Sequence, residues 1–113
     1  DKKFHQNQNI VKVITNESLN NSTFPEAINF VRESNNFEKN IYHHLGIYCY
    51  QIEVLKSFVS YKQSQNEIKT KLEQLRALDN NIKINVALAQ VSPIGVDTKE
   101  DFVAIKKIME YKS

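Results

Sequence analysis

The sequence predicts an α/β domain in which a mixed sheet is covered by helices. Two patterns carry that reading. Runs rich in β-branched and aromatic residues, two of them alternating with a period of two, fall at 10–15, 41–50 and 82–88, and apolar residues at helical spacing fall at 53–61, at 64–78 and beyond Thr98. The order, with a short apolar run at 27–32, is strand, short strand, strand, helix, helix, strand, helix, which suits a layered sheet-and-helix domain. A chain of 113 residues makes one domain, and a domain of that size buries roughly two-thirds of the surface it exposes when unfolded. With 41% hydrophobic and 25% charged residues, two Gly and two Pro, the composition is globular and not that of a linker.

Residues 10–15 are dense in Val and Ile and bounded by Asn, so they read as the first strand. Residues 16–23 form a loop, and Pro25 delays the next element. Residues 27–32 read as a short second strand, although a helical turn starting from Pro25 fits nearly as well. Residues 33–40 are a polar connection. Residues 41–50 are the longest predicted strand, with Ile41, His43, Leu45, Ile47 and Cys49 on a core face and Tyr42, His44, Gly46, Tyr48 and Tyr50 on the other.

Residues 53–61 have the spacing of a helix that packs back on the sheet. The next helix opens at Ser64, which with Glu67 makes a capping box, and ends at Asp79, Asn80 and Asn81. At about 100° per residue, Ile68, Leu72, Leu75 and Leu78 share one core-facing arc. Glu73 then points away from the core, with Gln74 and Arg76 on the flanks. Ile82, Ile84, Val86 and Leu88 alternate with smaller or polar residues as a further strand. Residues 90–98 are a loop, and the last helix carries the stripe Phe102, Ile105, Ile108 and Met109. Thr98 and Asp101 fit a capping box there, leaving the Asp97 carboxylate free; the alternative is that Asp97 is itself the cap.

A net charge of +2, mostly lysine and thinly spread, argues against a nucleic-acid partner. Cys49 is alone, which rules out an internal disulfide or thiolate cage and favours a reducing compartment. No apolar run approaches the roughly 18 residues of a membrane span, so a soluble cytoplasmic protein without a membrane partner is expected. His43 and His44 point to opposite faces of a strand and His5 is remote, so they are a weak metal signal. The candidate site gathers His44, Tyr48, Glu73, Gln74 and Asp97 at the strand ends of the sheet. The competing readings are tyrosines hydrogen-bonded within a core and a solvated helix face.

Three stretches in series resemble one family, CMP-KDO synthetase (3-deoxy-manno-octulosonate cytidylyltransferase). His44-Leu45-Gly46-Ile47-Tyr48-Cys49-Tyr50 is similar to its HLGIY-x-Y strand, Leu72-Glu73-Gln74-Leu75-Arg76 to its LEQLR helix, and Gly95-Val96-Asp97-Thr98-Lys99-Glu100-Asp101 to its GVDT-x-ED segment. Val11-Lys12-Val13 is similar to its VKVV strand, and residues 27–32 echo its ALYFSR segment. The resemblance implies that residues 1–113 are the C-terminal portion of a single Rossmann-like nucleotidyltransferase domain. This is the half that binds the sugar acid, without the N-terminal half that carries the triphosphate loop and cytosine pocket. It implies transfer of a cytidylyl group from CTP to the sugar acid KDO, with release of pyrophosphate, for lipopolysaccharide biosynthesis. It further implies magnesium held by Asp97, KDO hydroxyls bound by His44, Tyr48, Glu73 and Gln74, Arg32 near the KDO carboxylate, and a homodimer of the complete protein. The chain by itself is expected to be inactive. Departures from the family pattern fall at Asn29, Val31, Asn35, Asn36 and Gln51. The rival readings are a cytidylyltransferase for another sugar acid, such as sialic acid, and a non-catalytic remnant or interaction module of the fold.

Overall fold

The structure, a computed structural model, describes residues 2–35, 39–90 and 95–112. The expected departure at Asn36 and the centre of the predicted 90–98 loop, residues 91–94, lie outside them. The chain folds as α1 (Lys2–Gln6), β1 (Lys12–Thr15), β2 (Ala27–Val31), β3 (Ile41–His43), α2 (Ile52–Ser60), α3 (Gln65–Thr70), α4 (Gln74–Asp79) and α5 (Lys99–Lys112). The α/β class holds. The three named strands form one sheet in the order β2-β1-β3, with both pairings antiparallel.

The central strand β1 sets the register: Val13 lies opposite Phe30 on β2 and opposite Tyr42 on β3. On the covered face Val13, Ala27, Phe30, Leu72 and Leu75 are buried together, and α4 packs against β2. Lys12, which a simple alternation leaves in solvent, is 0% exposed. Its ammonium donates to the carbonyls of Asn7 (2.7 Å) and Arg32 and lies over the Phe4 ring. Burial lowers its pKa, and the Glu33 carboxylate partly opposes that shift. The polar lead-in is a short helix, α1. It is docked by His5, whose Nδ1 is 2.6 Å from Ser34 Oγ, while the Ser34 N–H donates to the His5 carbonyl (3.0 Å).

Four sequence expectations are corrected. The long strand over 41–50 is paired only to His43, with one further bond from the His44 N–H to Val11 O (2.9 Å). β1 begins at Lys12, so the chain beyond His44 has no ladder to join. Gly46 then turns it at φ +74, a left-handed conformation that costs a side-chain-bearing residue energy. The intended core face fails with it: Ile47 is 82% exposed and His43 and Cys49 are also exposed.

The single helix over 64–78 is two, because Lys71 takes φ 58 and ends α3. Leu72 and Leu75 are buried as expected, but Ile68 is exposed and Arg76 is not a solvated flank. The run 82–88 keeps its alternation, with Ile82, Ile84 and Val86 half-buried, but touches the sheet at a single bridge between Glu26 and Asn85. Finally, the stripe on α5 faces no core: Phe102, Ile108 and Met109 are exposed and Ile105 is half-buried.

The apolar residues Phe24, Ile28, Ile47, Ile52, Val59, Phe102 and Met109 all face solvent, and β3 is an edge strand. Such surface drives association. The 113-residue chain is expected to self-associate at micromolar concentration in sedimentation-velocity runs; a monodisperse, cooperatively melting monomer would contradict this.

Candidate functional site

The segment after β3 builds one wall of the site. The Phe30 and His44 rings meet edge to face at 5.0 Å, and His44 stacks obliquely on Tyr48 at 5.3 Å. The series runs on through Tyr50 (6.0 Å) to Phe58 on α2 (5.9 Å), over which the Arg76 guanidinium lies at 4.8 Å. The turn at Gly46 makes this possible, since it folds residues 47–50 back over His44. Burial, and then the adjacent His43 imidazole, hold His44 below the ordinary imidazole range. It is therefore neutral at neutral pH and offers one donor and one acceptor, the complement that a sugar hydroxyl needs. Partial burial, with Tyr50 and Glu73 adding to it, pushes the Tyr48 phenol up, so it stays a hydroxyl donor across the physiological range.

A cavity of about 370 Å³ opens beside this wall. His44, Tyr48, Gln74 and Asp97 line it, together with Asn9 and Leu72. Three motifs far apart in sequence thus meet at one concave surface. Glu73 does not line it: its side chain is 71% exposed at the start of α4, 4.0 Å from Arg76, and its charge adds to the burial that raises the Tyr48 and Tyr50 phenols. Arg32 is not brought to the cavity either. Its guanidinium is engaged by main-chain carbonyls of Gln8, Thr70 and Lys71.

Asp97 stands just outside α5, as the free-carboxylate reading expects. Thr98 Oγ1 accepts the Asp101 N–H (3.1 Å), and the Asp101 carboxylate accepts the N–H groups of Thr98 (3.1 Å) and Asp97 (3.2 Å). Those bonds hold the Asp101 carboxyl below its usual range. Among the described residues no hydrogen bond reaches the Asp97 carboxylate. They also hold no cluster of three or more His, Cys, Asp or Glu side chains able to bind a metal. A lone carboxylate nevertheless fits magnesium, which keeps several waters and takes one or two carboxylates with substrate phosphates.

Sequence reasoning missed Asn9 and Leu72 as walls of the cavity, and it missed the Glu67–Arg76 pair. Arg76 donates through Nε and Nη2 to the two Glu67 oxygens at 2.8 and 2.6 Å, with the side chains 14% and 5% exposed. Positions nine apart share no face of a helix, so only the break at Lys71 lets them meet. No local signal marks it.

No protein-family model matches the chain. It is 42% identical over 102 residues to the 3-deoxy-manno-octulosonate cytidylyltransferase of Bartonella tribocorum, covering 89% of this chain and 41% of that protein. It is likewise 42% identical over 108 residues to the protein of the same name from Thermodesulfovibrio yellowstonii, covering 91% of this chain and 42% of that one. A solved CMP:2-keto-3-deoxy-manno-octonic acid synthetase complexed with CTP superposes on the whole chain with a TM-score of 0.76 and 26% identity, and 46% of that structure is matched. The chain therefore spans less than half the length of the relatives it matches, corresponding to a C-terminal part of CMP-KDO synthetase. Its fold is part of the nucleotidyltransferase fold. Among the described residues no helix is long and apolar enough to cross a membrane.

Proposed function

We propose that this chain is the sugar-acid-binding part of a cytoplasmic cytidylyltransferase that joins CTP and KDO into CMP-KDO, with release of pyrophosphate, for lipopolysaccharide biosynthesis. One observation carries the reading: His44 and Tyr48, Gln74, and Asp97, drawn from three separate motifs, line a single cavity. Nucleotidyl transfer needs alignment and charge neutralisation more than a protein nucleophile, and these side chains suit that work. Neutral His44 and protonated Tyr48 orient sugar hydroxyls, and Gln74 supplies both an amide donor and an acceptor. Glu73, exposed between the lining residues Leu72 and Gln74 in sequence, would meet a ligand that extends beyond the cavity. Asp97 would hold magnesium, which when bound neutralises phosphate charge. The complete protein would pair as a homodimer.

Mixed alone with CTP, KDO and magnesium, the 113-residue chain is expected to release no pyrophosphate above background, since the relatives are more than twice its length. Replacing the matched segment of the Thermodesulfovibrio relative with this chain should give a chimaera that releases pyrophosphate with KDO and not with sialic acid. A folded chimaera that is inert with KDO overturns the proposal, and preference for sialic acid replaces its substrate.

A further inference from the structure

Asn9 lines the cavity of about 370 Å³ together with Gln74 and Asp97, and neither the motifs nor the fold gives it a role. Its side chain is exposed, and among the described residues nothing hydrogen-bonds to its carboxamide. Asparagine is common in turns for two local reasons: it tolerates a left-handed backbone, and its oxygen closes turns by accepting a nearby N–H. Neither applies at position 9. Among the described residues the left-handed positions other than glycine are Asn40, Lys71 and Asn81. The side-chain oxygen that closes this turn belongs to Asn7, which accepts the Asn9 N–H at 3.0 Å. The Asn9 amide therefore keeps its two donors and its acceptor for a ligand.

The turn that carries Asn9 is fixed by its neighbours. The Asn7 N–H donates to Lys3 O at 3.0 Å, and the Asn7 carbonyl accepts the Ile10 N–H at 3.0 Å and the Lys12 ammonium at 2.7 Å. Lys12 is 0% exposed and also donates to the Arg32 carbonyl, so the turn is anchored in the interior of the sheet. A binding group held on such a base loses little conformational freedom when a ligand arrives.

We infer that Asn9 is a further ligand-binding residue of this cavity, hydrogen-bonded to a hydroxyl of the sugar acid, and that Asn7 positions it. The inference rests on the reading of the cavity as a sugar-acid site and adds a contact to it. A carboxamide is neutral and offers a donor and an acceptor side by side. That suits a hydroxyl, which does both, better than a carboxylate or a phosphate, whose strongest partners are cations.

The test is made in the chimaera of this chain with the Thermodesulfovibrio relative, using Asn9→Ala, Asn7→Ala and the double variant. Asn9→Ala should raise KM for KDO on the order of 10-fold, and leave kcat, KM for CTP and the magnesium requirement nearly unchanged. Asn7→Ala should raise the same KM by about 3-fold. The double variant should be no worse than Asn9→Ala, since Asn7 acts through Asn9. Both side chains are exposed, so thermal midpoints should stay within about 2 °C of the unsubstituted chimaera's.

An unchanged KM for KDO in Asn9→Ala, with the unsubstituted chimaera active, ends the inference and leaves the sugar-acid reading standing. A raised magnesium requirement would place Asn9 at the metal, and a raised KM for CTP would place it at the nucleotide; either overturns the hydroxyl contact. An Asn7→Ala effect that adds to that of Asn9→Ala overturns the positioning role. A folded chimaera that is inert with KDO ends the reading and the inference together.

Discussion

Asp97→Asn in the chimaera is expected to lower kcat on the order of 100-fold or more, a loss of roughly 3 kcal/mol in transition-state stabilisation. The substitution keeps shape and removes charge. Folding should scarcely change, because the helix cap is Thr98 with Asp101 and the Asp97 carboxylate takes no part in it. Only the Asp97 N–H is used there, donating to Asp101, and Asn keeps that group. A residue that merely ended the loop would tolerate Asn at near-normal rate. Glu73→Gln gives the contrast: a sugar contact made already in the ground state raises KM for KDO and leaves KM for CTP nearly unchanged. Full activity of Asp97→Asn at limiting magnesium would end the metal assignment.

Glu67→Ala is expected to be the most destabilising single change near the site. Glu67 answers the Arg76 guanidinium with both oxygens and accepts the Ser64 N–H at 3.3 Å as the far half of the capping box. Taking it away leaves a guanidinium facing a buried gap. Breaking one side of such a pair costs about 3 kcal/mol or more, which lowers the thermal midpoint by roughly 10 °C in a domain of this size. The Arg76 hydrogen bonds hold the Glu67 carboxyl below its usual range. Its contribution is therefore present above the ordinary carboxylate pKa and is lost as pH falls through the lowered folded value. Calorimetry of the chimaera across that acid range should show the wild-type midpoint falling more steeply than the variant's. Parallel pH curves, or equal midpoints at neutral pH, would show that the pair contributes nothing.

What could be read directly from the chain is what its near neighbours decide. Ser64 caps α3 and Thr98 caps α5 because each partner lies three residues on, within reach of one helical turn. β1, β2 and α2 follow from local β-branched density and apolar spacing, and the inward alternation of Ile82, Ile84 and Val86 survives even where the strand does not. The residues around the cavity were legible through three short motifs, and four of those singled out do line it. Tertiary structure decided the rest. β3 stops at His43 because β1 offers no more backbone to pair with. Lys12 is buried because carbonyls from Asn7 and Arg32 enclose its ammonium. The helix breaks at Lys71 where Glu67 finds Arg76 and Arg32 finds Thr70 and Lys71, 38 and 39 residues away. Periodicity reports which face a residue prefers when its element is regular. It carries no information about a partner that only folding brings within hydrogen-bonding distance, and bonds of that kind outweigh the modest cost of interrupting a helix or a strand.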